Sequence, residues 1–538
     1  MSFFDYIEHG VFASVIAVLV SIYFRNGPRE LSRVLVVILK QLPGVDFVIG
    51  KVLQNEVKSF LSTTKLNEGK KKEKKGSEVQ LPQKGVPHAE LLETMKKMKK
   101  QETNSDEGKI FAYIYTLSDD HFQLQREAFD LFSEKIGHSV DHDALVKEFH
   151  HGFLHENALN PMLFPSLRKM ETEVVRMTAS MLNGGDDALG FMTSGGTESN
   201  VMAVKTFRDR AQKLFPHITE PEIVAPRTIH PTIDKAAQYF GMKVVHTPLG
   251  PDFGADVKAM EKAIGPNTVM LAASAPQFCH GIMDPIEEIA ALAHRRGLPL
   301  HIDACFGGYM LPWVEKLGYP VQKFDFRNPG VTSISADIHK YGYSIKGSSV
   351  IIYRNADIRK YQIFSYAEWP GGLYGSPSMA GTRPGGNIAA AWASMMALGV
   401  EGYMERAKVL METTNKLKEG VNKIQGLYVL GKPVMTCFSI GSSDPDVDIQ
   451  AVADAMGKKG WHMERQQNPS CLHCSILPHH VTVSDSLLKD LEDSTQEVKK
   501  NKALANEGTA AMYGMIATIP DKAIVKDFLV EFFSEVYK

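Results

Sequence analysis

Val269-Met270-Leu271-Ala272-Ala273 is a short apolar run, Asp284-Pro285-Ile286-Glu287-Glu288-Ile289-Ala290-Ala291-Leu292-Ala293-His294-Arg295-Arg296 is a helical stretch, and Pro299-Leu300-His301-Ile302 is apolar again. Strand, helix and strand in such close succession is the alternation of an α/β fold. Working outward, Leu189 to Met192, Val331 to Ser335 and Ser349 to Tyr353 read as further strands, so a mostly parallel sheet is expected. Upstream, Pro165 and Ser166 open a segment where Leu167, Met170, Val174, Val175 and Met181 recur at helical spacing, and Asn183-Gly184-Gly185 closes it. Beyond about Ala390 the pattern changes to a long helix and then shorter strands and helices, which suggests a smaller C-terminal domain. The sequence has no internal repeat.

The chain has 538 residues, 44% of them hydrophobic and 23% charged, which is ordinary globular usage. Sixty Lys plus Arg against 62 Asp plus Glu leave a net charge of −2, which gives no electrostatic footprint for nucleic acid. Five cysteines (Cys279, Cys305, Cys437, Cys471 and Cys474) are few and odd in number, so a disulfide framework is not expected and the main body reads as cytosol-facing.

Near the N-terminus the run from Val11 to Phe24 carries no charge, yet at 1.5 Å per residue it spans only about 21 Å of a roughly 30 Å hydrocarbon layer. Asp5 and Glu8 precede it, while Arg25, Arg29, Arg33 and Lys40 follow. That asymmetry speaks against a signal peptide and puts the C-terminal side in the cytosol, with Tyr6 and Tyr23 placed as interfacial anchors. An amphipathic or buried helix is the alternative. The lysine run Lys70, Lys71, Lys72, Lys74 and Lys75 has almost nothing apolar around it and reads as a solvated linker, with contact to anionic lipid as the other reading. The expected organisation is a membrane-span segment over 1–60, a linker over 61–80, a helical segment over 81–150, a large domain over 151–390 and a small one over 391–538.

Three motifs carry candidate chemistry. Thr193-Ser194-Gly195-Gly196-Thr197-Glu198-Ser199-Asn200 follows a strand and opens a helix, so hydroxyls and free N–H groups meet at a helix N-terminus, as an anion cradle or as a plain turn. Leu300-His301-Ile302-Asp303-Ala304-Cys305 puts Asp303 at the C-terminal end of a strand, the edge where open α/β sheets bind ligands, although a helix cap accounts for it equally. Ser333-Ile334-Ser335-Ala336-Asp337-Ile338-His339-Lys340 offers Lys340 as a nucleophile, and His230 adds an imidazole after another apolar stretch. Neither a GxGxxG fingerprint nor a GxxxxGK[ST] loop occurs. Taken together, Ser194, Gly195, Gly196 and Thr197, then His230, Asp303 and Lys340, form the set that pyridoxal phosphate chemistry requires. The cradle takes the phosphate, Lys340 attaches the aldehyde carbon, Asp303 keeps the ring nitrogen protonated and His230 stacks on the ring.

These motifs resemble the group II decarboxylase branch of aspartate-aminotransferase-fold enzymes and, within it, the sphingosine-1-phosphate lyase family. The resemblance covers nearly the whole chain and includes Phe164-Pro165 with Arg168-Lys169-Met170-Glu171, Pro221-Glu222-Ile223-Val224-Ala225-Pro226, Val331 through Ser349, and Gly381-Thr382-Arg383-Pro384-Gly385-Gly386. It implies a type I transferase fold, a homodimer with shared active sites, and a single span in the endoplasmic reticulum membrane with the catalytic body in the cytosol. It also implies cleavage of the C2–C3 bond of a phosphorylated long-chain base, giving phosphoethanolamine and a long-chain aldehyde. By the same resemblance Thr382 joins the cofactor set, and Tyr115, Asn157, Asn160 and Lys346 face the substrate. Asn160 stands where the family usually carries histidine, Thr382 where it carries serine, and Cys279 where it carries proline. An amino-acid decarboxylase and a catalytically weakened paralogue with a regulatory role are the alternatives. No metal is expected: Cys471-Leu472-His473-Cys474 lacks a second pair, and His150, His151 and His155 lack the HExxH order.

Overall fold

The computed structural model describes residues 164–519 and 522–538, together with residues 51, 52, 55, 56, 58, 59, 109, 146, 147, 149, 150, 153 and 157–159. The described residues from 109 to 502 fall in one compact unit, and residues 51–59 and 503–538 in another. The run Val11 to Phe24 and the lysine linker lie outside the described residues, as do Tyr115 and Asn160. No described helix is long and apolar enough to cross a membrane.

The larger unit opens with helix α1 (Pro165–Met181), whose proline occupies the first turn, where no intrahelical N–H bond is lost. Asn183 and Gly185 then turn the chain with φ of 55° and 64°, the left-handed region that Asn and Gly tolerate best. Seven strands follow with helices between most of them: β1 (Leu189–Thr193), α2 (Gly196–Leu214), β2 (Glu222–Pro226), α3 (Thr232–Tyr239), β3 (Lys243–Thr247), α4 (Val257–Ala263), β4 (Thr268–Ser274), α5 (Ile286–Arg296), β5 (Leu300–Asp303), α6 (Leu311–Lys316), β6 (Val331–Ala336) and β7 (Ser349–Tyr353). They join in one sheet of order β1-β7-β6-β5-β4-β2-β3. Strands β2 to β6 pair in parallel, and β7 runs antiparallel to both β6 and β1. The mostly parallel sheet expected from the alternating pattern is present, with two further strands, β2 and β3. Burial explains its near-continuous apolar strands: all seven residues of β4 and all five of β7 are buried. On one face Val201, Phe207, Ile223, Ile233 and Met270 form a shared core.

A short α7 (Ala356–Arg359) leads to an exposed hairpin of β8 (Phe364–Tyr366) and β9 (Tyr374–Ser376). Helix α8 (Gly385–Lys423) packs on α1 and is interrupted at Gly399, where φ is 55°. A second sheet of order β10-β11-β13-β12 follows, from β10 (Leu427–Val429), β11 (Cys437–Ser442), β12 (Glu464–Gln466) and β13 (Cys471–Ser475), all antiparallel; α8 and α9 (Ile449–Lys458) pack on it, and α10 (His480–Lys500) packs on those two helices. In the other unit α11 (Gly508–Thr518) and α12 (Lys522–Val536) are helical.

Candidate active site

The parallel strands β2, β4, β5 and β6 all end at one edge of the sheet, where loops of different strands converge because the chain leaves each strand there. At this edge a cavity of about 600 Å³ is lined by residues from four separate motifs, among them Ser194, Gly196, His230, Asp303, Lys340 and Lys346.

The cradle is the turn between β1 and α2. The first intrahelical bond of α2 is Ser199 N–H to the Gly195 carbonyl at 3.0 Å, so the N–H groups of Gly196, Thr197 and Glu198 have no partner one turn back. Ser194 donates its N–H and its hydroxyl to Glu198 Oε2, at 2.7 and 2.6 Å, which ties the turn to the helix it starts. Gly196 is required for space. A Cβ there would lie 2.6 Å from Cys305 Sγ and 2.8 Å from Asp337 Oδ2, closer than such atoms approach.

Asp303 ends β5 and is buried. Its Oδ1 accepts the Cys305 N–H at 3.0 Å and its Oδ2 accepts the Asn200 amide at 2.9 Å. Burial pushes its carboxyl up, but the neighbouring His230 and the Cys305 bonds outweigh this and hold it below the usual range, so it is anionic. His230 is lowered by burial, with Asp303 opposing the shift. Lys340 follows β6; its Nζ lies 3.0 Å from Asp337 Oδ2 and 5.1 Å from the centre of the Phe306 ring. Asp337 is itself held well below the carboxylate range, because the Lys340 charge and the His339 bond outweigh the cost of burial. Lys346 reaches the same cavity, with Nζ 3.4 Å from the His339 carbonyl.

The structure thus brings Ser194, Gly195, Gly196, Thr197, His230, Asp303, Lys340 and Lys346 to one cavity. Asn157 and Thr382 are elsewhere: Asn157 forms a bridge with Pro384, and Thr382 is exposed and does not line the cavity of its own chain. Asn200, Asp337, Phe278 and Phe306 line it without having been singled out from sequence. Asn200 and Asp337 sat inside quoted motifs, where their position at a strand or helix end was the available signal.

A strand-end carboxylate, a lysine on the neighbouring strand's loop and a glycine-floored anion cradle fit a phosphorylated pyridine aldehyde. The pyridoxal-dependent decarboxylase conserved domain matches residues 78–440 of this chain. A sphingosine-1-phosphate lyase of Oryza sativa subsp. japonica is 41% identical over 504 residues, which covers 92% of this chain and 87% of that one. The chain belongs to the sphingosine-1-phosphate lyase family. The structure of the Burkholderia pseudomallei sphingosine-1-phosphate lyase matches with a TM-score of 0.72 at 36% identity, covering 82% of this chain and 97% of that one. A Lactobacillus brevis glutamate decarboxylase shares the fold, with a TM-score of 0.66 at 17% identity and coverage of 82% and 99%. Membership in the lyase family fixes pyridoxal phosphate as the cofactor and the type I transferase fold as the frame.

Proposed function

We propose that this chain cleaves the C2–C3 bond of phosphorylated sphingoid bases, releasing phosphoethanolamine and a long-chain aldehyde in sphingolipid degradation. The observation that carries this reading is that Lys346 lines the same cavity as Lys340, Asp303 and the cradle. A second cation suits a substrate that brings its own phosphate. Bound pyridoxal phosphate supplies the electron sink that bond cleavage next to an amine-bearing carbon requires and that no side chain offers. The protein's residues do the rest. Lys340 is the attachment point for the aldehyde carbon, the anionic Asp303 holds a proton on the ring nitrogen, and His230 packs against the ring. The N–H groups at the start of α2 hold the cofactor phosphate, and Lys346, with Tyr115 and Asn160, receives the substrate's headgroup.

The test is an aldehyde assay with purified protein, offering phosphorylated and unphosphorylated long-chain bases, with amino acids and carbon dioxide release as the parallel arm. Aldehyde from the phosphorylated base, abolished in Lys340→Ala, is the expected outcome. Carbon dioxide without aldehyde would make the chain an amino-acid decarboxylase. Cofactor bound with neither product would make it a catalytically weakened paralogue, in keeping with Asn160 in place of the family's histidine.

Two wider features belong to the same reading. Thr382 serves the cofactor site of a second copy in a homodimer; the exposed Trp369, Leu373 and Met379 that lead up to it are the apolar surface such a partner covers. The run Val11 to Phe24 anchors the protein in the endoplasmic reticulum membrane with the catalytic body in the cytosol. Removal of about the first 60 residues should release soluble, active enzyme. If the truncated protein still sediments with carbonate-washed membranes, the anchor lies elsewhere.

A further inference from the structure

Asn200 lies in the second turn of α2 and is 1% exposed, and its amide uses all four of its hydrogen-bonding positions. Nδ2 lies 2.9 Å from Asp303 Oδ2 and 2.8 Å from Thr232 Oγ1, while Oδ1 lies 3.0 Å from His301 Nε2 and 2.9 Å from Ser335 Oγ. The direction of each bond follows from the carboxylate. Asp303 is anionic and only accepts, so the amide turns its NH2 toward it and its oxygen toward His301 and Ser335. His301, fully buried and neutral because burial lowers its pKa to about 4, must then carry its proton on Nε2. Its Nδ1 accepts from the Ser333 hydroxyl at 2.9 Å. On the other side Thr232 Oγ1 accepts from Asn200, which leaves its own proton for His230 Nδ1 at 3.1 Å. The Thr232 N–H, 3.3 Å away, points at the same nitrogen. Two donors on Nδ1 leave the His230 proton on Nε2.

We propose that Asn200 is a positioning residue for the lyase reaction: its two amide N–H groups tie the Asp303 carboxylate to Thr232, whose hydroxyl and backbone N–H hold His230 as its Nε2–H tautomer, while its amide oxygen sets the tautomer of His301. The inference rests on the assignment of Asp303 and His230 to the cofactor ring. Both links run through Nδ2, so a side chain of similar bulk without two N–H donors cannot join the two groups. Leaving an anionic carboxylate and a neutral ring to settle independently loses their common orientation.

The experiment reads histidine tautomers by 15N NMR in cofactor-free protein labelled at histidine, and kcat and KM in the loaded enzyme. In the wild type His230 and His301 should both be Nε2–H. In Asn200→Ala the His301 signal should move to a mixture of tautomers, because its acceptor is gone, and kcat should fall by about tenfold or more, the scale of a lost bond to a charged group, with KM little changed. Thr232→Val should leave His301 as in the wild type and still lower kcat. A wild-type His301 tautomer in Asn200→Ala, or an unchanged kcat, overturns the proposal. Should Asn200→Ala not accumulate as folded protein, Thr232→Val decides: lowered kcat sustains the proposal and unchanged kcat overturns it. The NMR arm needs no substrate, so a wild type that shows the ordered tautomers yet releases no aldehyde would sink the lyase reading and not the network.

Discussion

Lys346 is exposed as a residue, yet the packing around its ammonium, with the Lys340 charge beside it, lowers its pKa to about 8. A lysine with a lowered value is cationic below that point and neutral above it, so phosphate binding by the free enzyme should weaken as the pH rises through about 8. We expect kcat/KM for the phosphorylated base to fall along that limb, and Lys346→Arg, which stays charged, to carry the limb to higher pH. A limb at the same pH in Lys346→Arg would remove this residue from headgroup binding. At this scale the sequence was most legible where function forces a residue type onto the end of a strand, as with Asp303 and Lys340. It was least legible where a role depends on contacts across the sheet. Asn200 meets His301 and Ser335 101 and 135 residues away, and no local spacing encodes that meeting.

The cradle shows how an element turns a local rule into a site. Helix α2 begins where its unbonded N–H groups face the cavity, and Ser199 ties that start to the sheet through Thr193 Oγ1 at 2.6 Å and Ser349 Oγ at 2.8 Å. Gly196→Ala should keep the fold and lower affinity for pyridoxal phosphate by roughly five- to a hundredfold, the effect of about 1–3 kcal/mol of overpacking. Circular dichroism and cofactor titration check the two halves, and unchanged affinity would show that Cys305 and Asp337 yield freely. Helix α1 and strand β7 were readable to the residue or nearly so, because each has an unbroken apolar pattern and a clear stop. Strands β2 and β3 were harder: β3, Lys243-Val244-Val245-His246-Thr247, is a sheet-edge strand whose central residues are only half-buried, so it lacks the apolar run that marks β4.

For the whole molecule, the exposed hairpin of β8 and β9 and the loop that ends at Thr382 make one side of the chain apolar, with Leu373 89% exposed. A solution mass twice that of the chain, by sedimentation, is the expected result, and a monomer that retains full activity would end the shared-site proposal. The large unit has a further property that stems from β7. Since this strand runs against its neighbours, the chain passes from β6 to β7 by a loop over residues 337–348 instead of a crossover helix, and Lys340 and Lys346 both stay on the ligand-binding edge. Five residues separate them, folded back by bonds such as Tyr343 N–H to the Lys340 carbonyl at 3.1 Å and Ser344 N–H to the Ile338 carbonyl at 3.2 Å. The reversal is therefore a ruler between the point where the aldehyde is held and the point where a headgroup phosphate is met. Its length is set by a buried loop: Tyr341 packs edge-on against Phe306 of the cavity, and the Gly342 carbonyl accepts from Ser394 and Tyr403 of α8, so the spacing between the two lysines is held by the same packing that lines the site and cannot be changed without disturbing it.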